Sequence, residues 1–245
     1  MKLKGIILAG GKGTRLHPLT QLLSKHLLPV GKYPMIVYGI ETLRKAGITD
    51  IMLIISKQSA GLYTDFLGSG AGYGVSLTYR IQEEAGGIAE ALDLAKGFIL
   101  PQEKFAVLLG DNLFADDLAP FVTAFKQQKL GTARVLLKEV DDPRRYGVPV
   151  FDPEHSELIS YIEEKPEHPE TNYSVTGFYL YDADVFHIIS GISPSARGEL
   201  EITDVNNAYA RAKGLEYDIL SGYWSDAGTF ESLQDAAIQM KKILP

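Results

Sequence analysis

Three almost uninterrupted apolar runs mark the first half of the chain: KGIILAG (4–10), DIMLIIS (50–56) and KFAVLLGDN (104–112). Runs this short, bounded by glycine and polar residues, predict strands buried on both faces. Between the first two lies PMIVYGIETLRKAG (34–47). Its apolar residues recur at helical spacing, Pro34 stands near its start and Gly47 at its stop, so it predicts a helix. Strand, glycine-rich loop, helix and strand in that order are the grammar of a parallel sheet. Open sheets of this kind bind ligands at the carboxyl ends of their strands. The glycines after the first run and Asp111 after the third stand at such ends.

After about residue 130 the pattern changes. ARVLLKEV (133–140), GVPVFD (147–152), ELISYIEE (157–164) and YSVTGFYLYD (173–182) predict strands with turns between them and few helices. They suggest a mixed or antiparallel extension covering one side of a site. EITDVNNAYARAKG (201–214) predicts a helix ending at Gly214, LEYDILSGYWSDAG (215–228) a strand and loop, and TFESLQDAAIQMKKIL (229–244) an amphipathic helix.

The loop LAGGKGTRLHP (8–18) carries the first chemistry. It is not the dinucleotide fingerprint GxGxxG, because the sixth position from Gly11 is Leu16. Nor is it the phosphate loop GxxxxGK[ST], because Lys12 is followed by Gly13 and has no glycine at the required distance before it. Gly10, Gly11 and Gly13 still let backbone N–H groups approach an anion, while Lys12 and Arg15 add charge. Arg15 also brings a planar fork of donors. A tight strand-to-helix turn with solvated cations is the plainer alternative, and Thr14 and Arg15 weigh against it.

Composition narrows the class. With 245 residues, 45% of them hydrophobic, the chain is long enough for a sizeable core. It has no cysteine, which excludes disulfides and thiolate metal sites and fits a reducing compartment. A net charge of −7 argues against a general nucleic-acid-binding surface, so cations for an anionic ligand must be local. No apolar run reaches the length of a membrane span. The chain therefore reads as cytoplasmic, without a nucleic-acid or membrane partner.

In order along the chain stand LAGGKGTRLHPLT, SKHLLPV (24–30), LGDNLF (109–114), RYGV (145–148), IEEKP (162–166), YSVTGFYLYD, SARGELEITDVN (195–206) and YWSDAGT (223–229). Together these blocks resemble the sugar-1-phosphate nucleotidyltransferases, which join a nucleoside triphosphate to a sugar phosphate and release pyrophosphate. The resemblance implies an α/β fold: a Rossmann-like three-layer α/β/α arrangement with a mixed central sheet and a smaller strand-rich sugar-binding extension. It implies one domain over 1–245, with a nucleotide part to about 130, a sugar-phosphate part to about 228 and a C-terminal helix over 229–245.

The resemblance also implies roles. Leu8, Gly10, Gly11, Lys12, Gly13, Thr14, Arg15 and Lys25 would hold the nucleotide, with Gln82 reading the base edge, Gly87 packing against base or ribose, and Asp111 beside the phosphates. Asp111 and Asp226 would be ligands of Mg2+. Lys165 and Arg197 would take the sugar phosphate, Glu164 the sugar hydroxyls, and Asn112, Gly147 and Val175 would line the sugar pocket. Arg15, Lys25, Asp111, Lys165 and Asp226 form the implied catalytic set. Tyr146 and Trp224 read as wall residues, and His17 and His26 as structural.

The substrates so implied are dTTP and glucose 1-phosphate. UTP or another hexose 1-phosphate is the second reading, and an inactive nucleotide-sugar-binding regulator the third. A homo-oligomer, dimer or tetramer, is expected. The departures from long bacterial members are mild at the site: Gly86 where they often have Asp, WSDAGT for WLDTGT, and His26 where a Gln often follows the lysine. The chain ends soon after Gly228, whereas those members continue into helices that build a second nucleotide site. Little of that site is expected here, and product inhibition should be weak or purely competitive.

Overall fold

A computed structural model describes residues 2–241; residues 242–244 of the expected C-terminal helix lie outside them. In chain order the strands are β1 (Lys4–Ala9), β2 (Pro29–Val30), β3 (Tyr33–Pro34), β4 (Asp50–Ser56), β5 (Ser76–Gln82), β6 (Lys104–Leu109), β7 (Leu113–Phe114), β8 (Ala133–Glu139), β9 (Gly147–Phe151), β10 (Ile159–Glu164), β11 (Tyr173–Asp182), β12 (Leu215–Ile219) and β13 (Trp224–Ser225). The α-helices are α1 (Met35–Lys45), α2 (Ala60–Leu67), α3 (Ile88–Asp93), α4 (Ala119–Gln127), α5 (Val185–Gly191), α6 (Ile202–Arg211) and α7 (Phe230–Met240).

Seven strands form one sheet in the order β12-β8-β11-β6-β1-β4-β5. β1, β4, β5 and β6 are mutually parallel, β12 runs parallel to β8, and β11 is antiparallel to both β6 and β8. The sheet is therefore mixed, and it is covered on both faces. Along β1, Ile6 and Leu8 enter one core layer with α3, α5 and α6, while Ile7 and Ala9 enter the other with α1, α2 and α4. Alternate side chains point to opposite faces, so an unbroken apolar run is what a strand between two helical layers requires. A third, smaller cluster joins α7, through Ala236 and Met240, to Val30, Met35 and Tyr38.

The second half departs in detail from the expected extension. β8, β11 and β12 are members of the central sheet, and the hairpin β9–β10 and the short strand β13 stand apart from it. The cause is visible in burial: β8 and β11 are buried along most of their lengths on both faces, like the strands of the first half. Helices α2 to α5 are further additions to the pattern read above. They are short, six to nine residues, so the periodic signal spans no more than two or three turns and marks them weakly. Among the described residues, no helix is long and apolar enough to cross a membrane.

Candidate active site

Two adjoining cavities open at the carboxyl ends of β1, β5 and β6. The first holds Leu8, Gly10, Gly11, Lys12, Gly13, Thr14, Lys25, Gln82, Gly87 and Asp111 among its lining residues. The second holds Arg15, Asp111, Asn112, Gly147, Glu164, Lys165, Val175, Arg197 and Asp226. Every residue given a binding, catalytic or metal role above thus lines one cavity or the other. Arg15 is placed in the second, beside Asp226, and not with the rest of its loop. Asp111, Leu109, Ile88 and Glu199 line both, so Asp111 stands on the boundary between them.

The glycine loop follows β1 directly. A Cβ on Gly10 would stand 2.1 Å from Gln82 Oε1, so a side chain there would push the Gln82 amide out of its present place. The loop is then fastened from below. Thr20 Oγ1 donates to the Gly13 carbonyl at 2.7 Å, and Leu16 is wholly buried. Lys12 and Arg15 remain exposed above it.

Lys25 pairs with Asp111, and both side chains are largely buried. Burial pushes the Asp111 carboxyl upward, but the Lys25 charge, with help from His26 and the Asn112 amide, outweighs it and holds the group below the usual carboxylate range. Asp111 is consequently an anion fixed in place. Asn112 completes the fixing: its Nδ2 donates to Asp111 Oδ1 at 3.0 Å, while its Oδ1 accepts from Gly177 N–H and from Trp224 Nε1, both at 2.8 Å. The Asn112 amide is therefore mostly spent on binding β6, β11 and β13 together behind the cavity.

Asp226 reaches this place through a ladder only two residues long. Trp224 pairs with Phe114 and Ser225 with Leu113, immediately beyond Asp111 and Asn112. Asp226 Oδ2 lies 3.4 Å from Arg145 Nη2. A Cβ on Gly228 would lie 2.9 Å from Arg15 Nη2 and 3.3 Å from Asp226 Oδ2, which sets Arg15 beside that carboxylate. Tyr146 packs on Trp224 with ring centroids 5.1 Å apart. Burial first, then the Asp226 charge, pushes its hydroxyl up to about 12.

The far wall of the second cavity comes from β9–β10 and α6. Asn207 Nδ2 donates to the Ile162 carbonyl at 2.9 Å, and its Oδ1 accepts from Ile162 N–H at 2.7 Å, docking the hairpin on α6. Glu164 accepts from Lys165 Nζ at 2.7 Å and from Thr203 Oγ1 at 2.6 Å. Arg197 Nη2 donates to Glu201 at 2.8 Å and lies 3.6 Å from Glu164. The cations of this wall are thus held by acids in a network rather than left free. Sequence reasoning passed over Arg145, Glu199, Glu201 and Thr203, although RYGV and SARGELEITDVN contain all four. The signal was their place inside those blocks.

His26 is 2% exposed, with Nδ1 3.2 Å from Ser24 Oγ, which in turn lies 2.8 Å from the Tyr63 hydroxyl. Burial, then the Lys25 charge, lowers its pKa from 6.5 to about 3. Between those values the unfolded chain binds a proton that the folded chain refuses, so stability falls as pH falls through that window. From pH 7.5 to 5 the loss attributable to His26 should be about 2 kcal/mol. Urea unfolding of wild type and His26→Gln at both pH values checks this. The variant should lose about that much less, and an equal loss in both proteins would contradict the assignment.

A family model described as Nucleotidyl transferase matches residues 4–243. A glucose-1-phosphate thymidylyltransferase of Xanthomonas campestris pv. campestris (strain B100) is 43% identical over 247 residues, covering 98% of this chain and 82% of its own length. Among solved structures, a Bacillus anthracis protein described as a candidate glucose-1-phosphate thymidylyltransferase, in complex with a sucrose, superposes with a TM-score of 0.90. It is 52% identical and covers 96% of this chain and 94% of its own. A UDP-glucose pyrophosphorylase complexed with UDP-glucose superposes with a TM-score of 0.86 over 99% of this chain and all of its own, at 24% identity, a likeness of fold. Two cavities meeting at a fixed carboxylate, a mixed sheet that feeds both, and a match over nearly the whole length agree: this chain belongs to the nucleotidyl transferase family.

Proposed function

We propose that the protein transfers a thymidylyl group from dTTP to α-D-glucose 1-phosphate, giving dTDP-glucose and pyrophosphate. The observation that carries this reading is the position of Asp111 on the wall common to two cavities. One cavity is edged by the glycine loop and Gln82, the other by Lys165 and Arg197. Such a layout brings two phosphate-bearing molecules to one point. The names of relatives more than 40% identical over nearly the whole chain supply the nucleotide and the sugar.

In this reading the glycine loop with Lys12 and Lys25 takes the triphosphate, and Gln82 presents a donor and an acceptor side by side to the imide edge of the base. Lys165 and Arg197 hold the sugar phosphate, and Glu164 accepts from sugar hydroxyls. The attacking phosphate oxygen is already ionised at neutral pH, so no general base is required. The chain's task is to line up nucleophile, α-phosphorus and leaving group while offsetting their mutual repulsion. Arg15 stands where charge grows as pyrophosphate departs.

Among the described residues no group of three or more His, Asp or Glu is arranged to hold a metal. Asp111 and Asp226 line one cavity, however, and two carboxylates suit Mg2+, which draws its remaining ligands from phosphate oxygens and water. When bound there, Mg2+ would neutralise phosphate charge. The proposal takes 1–245 as one domain, with a nucleotide part to about residue 130 and a sugar-phosphate part to about 228, in a cytoplasmic homo-oligomer of two or four chains.

UTP is the second reading, because uracil and thymine share the edge that Gln82 would face. A single methyl contact discriminates by only roughly 1–3 kcal/mol. The test is a matrix of nucleoside triphosphates against sugar 1-phosphates, scored by magnesium-dependent pyrophosphate release. The pair dTTP and glucose 1-phosphate should give the highest kcat/KM, with UTP within about 200-fold. No pyrophosphate from any pair would overturn the enzymatic reading.

A further inference from the structure

Gln82 is 6% exposed at the end of β5 and lines the nucleotide cavity. A primary amide in that position is ambiguous, since rotation by half a turn exchanges its donor and acceptor ends. What it reads depends on what holds it. Its Nε2 lies 3.4 Å from Glu90 Oε2, and its Oε1 is turned to the opposite side, against Gly10. The same Glu90 oxygen accepts from Gly86 N–H at 2.6 Å. A carboxylate can only accept, so it draws the amide nitrogen towards itself and repels the amide oxygen.

Gly86 makes room for this arrangement. A Cβ there would stand 2.3 Å from Glu90 Oε2, so a side chain at position 86 would displace the carboxylate from both partners. The departure noted in the sequence, glycine where many long members carry aspartate, acquires a physical reason. Glu90 supplies from the first turn of α3 a carboxylate that the preceding loop lacks.

We infer that Glu90 is a positioning residue for base selection, locking the Gln82 amide in the orientation that accepts base edges of the uracil and thymine type and rejects cytosine. This rests on Gln82 being the base reader, as proposed above. With one Nε2 hydrogen held by Glu90, the other donates to a base carbonyl, and Oε1 accepts from the neighbouring ring N–H. Cytosine offers the reverse pattern, an unprotonated ring nitrogen beside an amino group. It would set acceptor against acceptor and donor against donor. The reversed amide would suit cytosine, but it would turn Oε1 onto the Glu90 carboxylate.

The plainer role for Glu90 is a helix cap, since a glutamate in the first turn commonly reaches back to a preceding N–H. A cap would affect all nucleotides alike. The experiment therefore reads a ratio: kcat/KM for dUTP over that for dCTP, two nucleotides that differ only at this edge. Glu90→Met removes the acceptor while keeping length, Glu90→Gln keeps one acceptor, and Gln82→Ala removes the reader. The ratio should fall tenfold or more in Glu90→Met and in Gln82→Ala, and stay within about threefold of wild type in Glu90→Gln. Binding of dUMP and dCMP by calorimetry gives the same comparison without turnover. A fall in Gln82→Ala with no change in Glu90→Met would reduce Glu90 to a cap. An unchanged ratio in Gln82→Ala would remove Gln82 as reader, and the role of Glu90 with it.

Discussion

Replacing Arg15 with alanine is expected to lower kcat by roughly 10²–10³-fold, the cost of removing one preorganised donor from a charge-bearing transition state. The side chain is exposed, lines the second cavity and stands beside Asp226 and Gly228. In the proposed reaction its guanidinium would bridge the reacting phosphate and the departing pyrophosphate. Arg15→Lys should recover only part of the loss, because a point charge does not reproduce a planar fork of donors. The fold should be untouched: Leu16, and not Arg15, anchors this segment in the core. Kinetics with each substrate varied in turn, beside thermal unfolding, make the check. A change confined to the KM for glucose 1-phosphate would place Arg15 on the other substrate.

Asp226→Asn should be nearly as damaging, lowering turnover about 10²-fold or more, since a neutral amide is a poor ligand for a hard cation. It should also weaken binding of Mn2+, used as a probe of the divalent site, by tenfold or more in calorimetric titration. Stability should change by less than about 1 kcal/mol, because the one ion pair lost is to the half-exposed Arg145 at 3.4 Å. Near-normal turnover in a folded variant would take Asp226 out of the metal site and leave Asp111 as its carboxylate.

The two variants separate two duties of the same cavity wall. In the proposed reaction Arg15 would act on charge that develops as the bond to pyrophosphate breaks, so its loss should appear in kcat. Asp226 would act before that, on assembly of the charged complex, so its loss should appear in metal dependence as well. Lys25 cannot be read so simply. It pairs with Asp111 where both are largely buried, and removing it would leave a buried carboxylate without its partner. Activity lost in such a variant would mix chemistry with stability.

Much of the architecture could be read from local pattern. The apolar runs that became β1, β4 and β6 were visible because a strand between two helical layers tolerates almost no polar residue. The glycine loop and Asp111 were visible as candidates because they stand where such strands end. The ordered blocks of sequence indicated the family, and with it most of the residues placed above in the two cavities, though not Arg145, Glu199, Glu201 or Thr203. Less legible was the second half. Its strands were recognised, but not that β8, β11 and β12 extend the same sheet, because strand order depends on pairing between segments distant in the chain.

By itself, then, the sequence determined many of the elements, though not β5 or helices α2 to α5, together with the ends of the first apolar strands and the kinds of charge available there, since these follow from neighbours a few residues apart. Tertiary structure alone decided which of those groups meet. The short ladder from β13 to β7 brings Asp226 into the cavity that Asp111 lines, the Asn112 amide ties neighbouring segments behind it, and Arg145 comes from the approach to the β9–β10 hairpin. Glu90 turns the Gln82 amide from the helix that follows its strand. Convergence of this kind is set by register and by packing at close quarters, where an ångström decides whether a carboxylate accepts a hydrogen bond, and no periodicity along the chain records it.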